Sequence, residues 1–240
     1  MKKIINKLLF HFGYRISKIR PNLITSKTMA QALNSLARTH KINTIVDIGA
    51  SDGRWSLLAM KTYPASGYLL VEAQPVHEQS LKHFVSLHNN CQYVLAAAGD
   101  KEGEIYFDAN DPLGGQASYK PYPTNNIIVP VTKIDTETKK RGMQGPYLLK
   151  FDVHGFEVPI LKGSSETLLQ TEVVIMECYN FKIGEECLLF YEMCSYMKEL
   201  GFRNIDLVDP LWRPHDNALW QMDLVFVRED RPEFSYLGYE

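Results

Sequence analysis

Thr44-Ile45-Val46-Asp47-Ile48-Gly49-Ala50-Ser51-Asp52-Gly53-Arg54-Trp55-Ser56 reads as a short apolar strand that runs through D-x-G-x-x-x-G into a helix. Gly49 and Gly53 lack a Cβ, so the backbone can bend sharply and approach a ligand closely. The N–H groups that open the next helix can face polar or anionic ligand atoms. Strand, glycine turn and helix in this order make a nucleotide-cradling turn.

Working outward, the chain has 240 residues, 45% hydrophobic and 11% aromatic, enough for one sizeable globular core and too apolar for disorder. Its net charge of −2 is unevenly spread. Lys2, Lys3, Lys7, Arg15, Lys18 and Arg20 make the first twenty residues a +6 segment without an acid, leaving −8 on the remainder. An acidic body argues against a nucleic-acid partner, because phosphate neutralisation by Lys and Arg supplies most non-specific affinity. Cys91, Cys178, Cys187 and Cys194 form no C-x-x-C pair and read as reduced thiols of a cytoplasmic protein. No run of eighteen apolar residues suggests a membrane span, and the N-terminus lacks a signal-peptide cleavage site.

Residues 2–19 place Ile5, Leu8, Leu9, Phe12, Ile16 and Ile19 at helical spacing among basic residues. Such a basic amphipathic segment suits either an anionic membrane surface, peripherally, or packing on the domain or a partner. A second helix is expected over about 26–39, capped by Ser26 or Thr25, so residues 1–40 read as a helical extension ahead of a domain over 41–240. Strands at about 42–48, 67–72, 92–98, 147–152 and 172–178 alternate with helical patterns at Arg54–Thr62, Pro75–Leu87 and Val158–Leu169. That alternation predicts an α/β, Rossmann-like, doubly wound and mostly parallel sheet. After a helix over Leu188–Leu200, strands near 203–208 and 222–228 are joined by a loop alone and should form an antiparallel pair, making seven strands in all. Residues 99–131, with Gly114-Gly115 and Pro112, Pro121 and Pro123, read as a strand-containing insertion with a flexible middle.

The chemistry starts at the strand tips. A carboxylate at Asp47 has no evident use beside a pyrophosphate, but it suits a ligand that carries an ammonium and a sulfonium, as S-adenosyl-L-methionine does. Glu72 ends the neighbouring strand, 25 positions later, where a carboxylate can accept both hydroxyls of a ribose.

The third element is Tyr147-Leu148-Leu149-Lys150-Phe151-Asp152-Val153-His154-Gly155-Phe156-Glu157-Val158-Pro159-Ile160-Leu161-Lys162-Gly163, which resembles the L-K-x-D-V-x-G-x-E-x-x-x-L-x-G signature of FkbM-type methyltransferases. The cofactor turn at Asp47, Glu72-Ala73-Gln74-Pro75, Ala97-Ala98-Gly99-Asp100-Lys101-Glu102-Gly103 and Trp220–Val227 resemble further segments of that family, so the likeness covers about 42–228. It implies a class I methyltransferase fold, S-adenosyl-L-methionine as donor, and a hydroxyl acceptor on a sugar, glycan or polyketide-like small molecule. Carried over, Asp47, Gly49 and Gly53 would hold the methionine end and Glu72 the ribose, with Ala50, Ser56 and Ala73 also in the cofactor-binding set. Ala97, Ala98 and Gly99 would line the adenine side, with Asp152 at the cofactor edge. The chain departs from the family at Ala73-Gln74, where a proline-containing turn is commoner, and at His154, a variable position.

Methyl transfer to a hydroxyl aligns oxygen, methyl carbon and sulfur and needs a group to take a proton, for which Asp152, His154 and Glu157 are the candidates. Glu157 has a helix-capping alternative. Asp152, Glu177 and Asn180 could offer oxygen ligands to a magnesium ion, although a metal is not expected. Tyr119, Tyr122 and the segment Trp212–Asp216 are expected to contact the acceptor. The rivals are a nicotinamide-dependent dehydrogenase, whose G-x-G-x-x-G is missing, and a non-catalytic cofactor-binding or membrane-docking module.

Overall fold

The computed structural model describes residues 27–124 and 126–239, so the basic segment over 2–19 lies outside the described residues. Helix α1 (Met29–Leu36) is opened by Thr28 in a reciprocal capping box with Gln31. It starts later than the sequence suggests because Lys27 is held extended beside Val208. Met29, Ala32, Leu33 and Leu36 pack into one core with Ile45 and Tyr68.

The chain continues through β1 (Thr44–Ile48), α2 (Arg54–Met60), β2 (Gly67–Glu72), α3 (Glu78–Leu87) and β3 (Cys91–Leu95). Then come β4 (Ala97–Ala98), β5 (Gly103–Asp108), β6 (Gln116–Ser118) and β7 (Asn126–Thr132). The remainder is α4 (Ile134–Lys140), β8 (Tyr147–Phe151), α5 (Glu157–Lys162), α6 (Ser165–Leu168), β9 (Thr171–Tyr179), α7 (Phe190–Glu199), β10 (Phe202–Trp212) and β11 (Leu219–Arg228).

Among the described residues a seven-stranded sheet runs in the order β10-β11-β9-β8-β1-β2-β3. β1, β2, β3, β8 and β9 pair in parallel, and β1 and β8 are buried at every position, as strands covered on both faces must be. β11 is antiparallel to both β9 and β10. The sheet is therefore mixed: the expected terminal pair is a hairpin whose second strand is wedged inside the sheet. α1, α2 and α3 cover one face, and α4 to α7 with the inserted sheet cover the other. No helix among the described residues is long and apolar enough to cross a membrane.

Two expected elements split. The strand over 92–98 breaks at Ala96, and β4 leaves to pair with β7 in a four-stranded sheet ordered β4-β7-β5-β6. The helix over 158–169 divides into α5 and α6 at Gly163-Ser164. Gly163 lies so close to Gly99 that an added Cβ would sit on the Gly99 carbonyl oxygen.

Gly163 has φ −80°, a conformation alanine adopts freely, so Gly163→Ala isolates that steric clash. Urea denaturation should show a loss of about 1–3 kcal/mol, the usual cost of overpacking; an unchanged midpoint would refute the close approach.

Candidate functional site

A cavity of about 350 Å³ opens at the carboxyl ends of β1, β2, β8 and β9, on both sides of the point where strand order reverses between β1 and β8. Because β11 runs backwards, the beginning of that strand, Gln221, reaches the same edge opposite Tyr179. Gly49, Ala50, Glu72, Ala73, Ala97 and Ala98 line one part, Asp152, His154, Glu177 and Gln221 another.

Five of the sequence-derived residues stand behind this lining. Asp47 is buried and accepts from Ser56 Oγ at 2.6 Å, and desolvation pushes its pKa up to about 6 against the Ser56 hydrogen bond and the charge of Lys150. Asp47 and Ser56 thus brace each other beneath the turn. Gly53 faces Phe84, 2.8 Å from where a Cβ would lie, and Gly99 lies against Val131 and Gly163. Gly49 is required less by a ligand than by the Asp152 carbonyl, on which its Cβ would fall. The turn's amides are also spent internally: Gly49 and Ala50 N–H donate to Val71 O, and Ser51 N–H to Glu72 Oε2.

Glu157, the fifth, was a candidate base. Its carboxyl instead folds back to accept from Gly155 N–H at 2.8 Å, and burial pushes its pKa up to about 7 although that bond and the His154 charge oppose the rise. It lines neither this cavity nor a second one described below, and the helix it opens has Phe156 at its N-cap with no side-chain cap hydrogen bond.

His154 differs more. It sits at φ 53° beside Gly155 at φ 102°, a turn that aims the imidazole back over the strand ends. Nε2 lies 2.9 Å from Leu113 O, an atom that can only accept, so Nε2 carries a proton. Tyr179 donates its hydroxyl proton to Glu177, which leaves Nδ1 facing the Tyr179 oxygen at 2.6 Å and Glu177 Oε2 at 3.1 Å. Both of those contacts require Nδ1–H as well. Burial alone would lower this pKa, but the Glu177 hydrogen bond and charge, Asp152 and Leu113 O outweigh it and raise it to about 9. His154 is an imidazolium at neutral pH and not the free base that the sequence allowed.

Lys150, unremarked as a site residue in the sequence, is fully buried at the end of β8. Its Nζ donates to Phe151 O at 2.8 Å and lies 3.2 Å from Asp223 Oδ1 and 3.6 Å from Asp152 Oδ2. Burial would neutralise it, yet Asp152, Asp223, Glu177 and Asp47 outweigh that cost and hold it charged. A lysine inside the apolar run Tyr147–Phe151 was the available signal. Asp152 is the cavity carboxylate with the most room, its side chain 40% exposed between Lys150 and His154.

Ligand atoms of Asp152, His154 and Glu177 come within 4.8 Å of one another, but both His154 nitrogens already donate, so this arrangement holds a cationic side chain where a metal ligand would need a lone pair. Asn180, the third metal candidate of the sequence, is not among the three clustered residues, and its Nδ2 donates to Leu219 O.

Over the Glu72 side lies a strap, residues 109–115. Gln74 Nε2 donates to Asp111 O and Pro112 O, His77 Nε2 to Pro112 O at 2.7 Å, and His154 Nε2 to Leu113 O. Side chains from two separate segments thus hold three consecutive carbonyls, which corrects the expectation of a flexible middle. Gly115 fits beneath because a Cβ would strike Phe107 and Gln74 Nε2. The segment Trp212–Asp216 lines neither cavity: Arg213 pairs with Asp216 and lies over the Phe181 ring at 4.1 Å.

A family model described as the methyltransferase FkbM domain matches residues 47–204. Methyltransferase sdnD of Sordaria araneosa is 25% identical over 187 residues, 64% of this chain and 72% of that protein. The crystal structure of methyltransferase FkbM from Methylobacillus flagellatus KT is similar at a TM-score of 0.55 and 12% identity, covering 83% of this chain and 48% of that one. The chain therefore spans about half the length of that protein, and the likeness at this identity is one of fold.

Because the His154 pKa is raised from an ordinary 6.5, its contribution to stability is complete below that value and disappears as pH climbs through about 9. The melting temperature should fall between pH 7 and 9.5, and His154→Gln should flatten that slope; a variant with the parent slope would contradict the assignment. Gln74→Ala should speed amide exchange at residues 111–115 while leaving the sheet amides protected.

Proposed function

The chain belongs to the FkbM methyltransferase family, and on that footing we infer that it is a class I, S-adenosyl-L-methionine-dependent O-methyltransferase acting on a hydroxyl of a sugar, glycan or related hydroxylated metabolite. The observation that carries the reading is the asymmetry of the cavity: carboxylates cluster at one end, and an acid with spare lone pairs stands at the other.

The residues fit the donor. Each Glu72 oxygen accepts one backbone N–H, from Ser51 and from Gln74 at 2.7 Å, and keeps a further lone pair for a ribose hydroxyl. Ala96, Ala97 and Ala98 leave a smooth wall suited to a flat base. Trp55 also lines the cavity, and its buried indole N–H has no partner among the described residues, an orphaned donor that a ligand carboxylate would satisfy. At the other end Asp152, Glu177 and Asp223 outnumber the cations Lys150 and His154, an excess of negative charge that favours a sulfonium.

When bound, the cofactor supplies an electrophilic methyl group on sulfur. The chain's part is to orient an acceptor hydroxyl along the line to that carbon and to take its proton, and Asp152 is the group placed to do so. His154 and Lys150 flank Asp152 and fix its carboxylate. His154, with no lone pair to offer, positions and does not accept. No step here requires a metal.

Calorimetry should show binding of S-adenosylmethionine and S-adenosylhomocysteine but not NAD, and folded protein that binds neither sulfur compound would overturn the reading. Glu72→Ala and Trp55→Phe should each weaken that binding, the former about tenfold, or roughly 1.4 kcal/mol. Asp152→Asn should lower kcat about 10²–10⁴-fold with little change in S-adenosylhomocysteine affinity. Turnover should persist in excess EDTA.

A further inference from the structure

A second cavity, of about 230 Å³, lies beyond the strap between β6 with its following turn and the loop after β9. It meets the cofactor cavity at Ala117 and His154, which line both. One wall carries Tyr119 and Tyr122, the other Ile183, Glu185 and Glu186.

We propose that this cleft is the acceptor site, and that it selects an uncharged, hydroxyl-bearing ring over anionic and cationic rings of the same size. The proposal rests on the methyltransferase reading above and adds where the acceptor enters and what charge it carries.

Position is the first argument. The cleft opens onto the cofactor cavity beside His154, next to Asp152, so a group seated there can reach the carboxylate assigned to the proton. Composition is the second. The Tyr119 ring is fixed, packed at a tilt against Phe156 at 5.2 Å with Lys101 Nζ 4.7 Å from its centroid and its hydroxyl donating to Asp100 at 2.7 Å, and therefore offers a rigid ring edge and no free acid. The Tyr122 hydroxyl is likewise occupied by Ala117 O at 3.3 Å. The Gln116 carboxamide has no hydrogen-bond partner among the described residues, and it brings both a donor and an acceptor to the cleft, the pair a hydroxyl can use.

Charge is the third. Lys120 is bound to Glu185 at 2.6 Å across the mouth, which leaves Glu186 without an ion pair among the described residues. An anionic acceptor would meet Glu186 first and then Asp152 and Glu177. A cationic one would be drawn to Glu186 but would have to place its ring against His154 and the sulfonium of the donor. An uncharged ring meets neither penalty, and its apolar face and hydroxyl edge match the two kinds of wall.

A charge series on one ring tests this: methyl glucoside, glucuronate and glucosamine, with the methyl glycosides of galactose and mannose, titrated into the full-length protein saturated with sinefungin, a donor analogue whose ammonium keeps the positive charge of the sulfonium. Backbone amide shifts should move at residues 116–122 and 183–186 with the neutral glycosides, at least tenfold more weakly with the charged rings. Glu186→Lys should narrow the gap between methyl glucoside and glucuronate at least fivefold, with S-adenosylhomocysteine affinity within twofold of the parent. Shifts elsewhere, no shifts with any ring, or glucuronate or glucosamine binding as well as methyl glucoside would overturn the acceptor assignment. Failure of both sinefungin and S-adenosylhomocysteine to bind would instead overturn the cofactor reading on which it rests.

Discussion

A single buried cation organises the ligand edge of this protein. Lys150 sits in a strand covered on both faces, where an unpaired ammonium would be untenable, and stays charged only because carboxylates from four strands converge on it. Asp47 lies across from it in register on β1, Asp152 follows directly after β8, Glu177 lies near the end of β9, and Asp223 stands opposite Glu177 on β11. Removing one partner from such a cluster typically costs about 3–5 kcal/mol, so the cluster resists any slip of these strands relative to one another. The register that satisfies Lys150 is also the one that brings Asp152, Glu177 and Gln221 to one cavity wall.

Side chains at this edge serve the fold and the cavity at once. Glu72 ties the turn after β1 to the turn after β2 through two backbone N–H groups while still facing the cavity. Gln74 spends its carboxamide on the strap and supports the cover over the cavity. Gly49 and Gly163 permit contacts between backbone segments, β1 with β8 and α5 with the start of the insertion. The glycine signature therefore reports close packing of chain on chain as much as room for a ligand.

His154 shows how tertiary surroundings set chemistry. In isolation its ring titrates near 6.5 and suits a base. Held between Leu113 O, Tyr179 and Glu177 it has two donors and no acceptor, and it links the strap to the strand ends as a fixed positive group.

The alternation of apolar runs and helical patterns was enough to read the α/β class, most strand positions and the strand tips at Glu72 and Asp152, because burial on both faces and the glycine turns are local properties of sequence. The lysine in Tyr147–Phe151 was visible too, though its meaning was not. What sequence could not show was which atoms a side chain spends on its neighbours: Asp47 and Ser56 on each other, Glu157 on Gly155, His154 on three partners. The break at Ala96, the reversed place of β11 and the closed strap likewise depend on contacts between residues far apart in the chain. Local pattern fixed the kind of protein and its ligand-binding edge. Only the tertiary structure decided which of the polar groups at that edge remain free to act, because a hydrogen-bonding atom already satisfied by a distant residue is indistinguishable, in sequence, from one that is open.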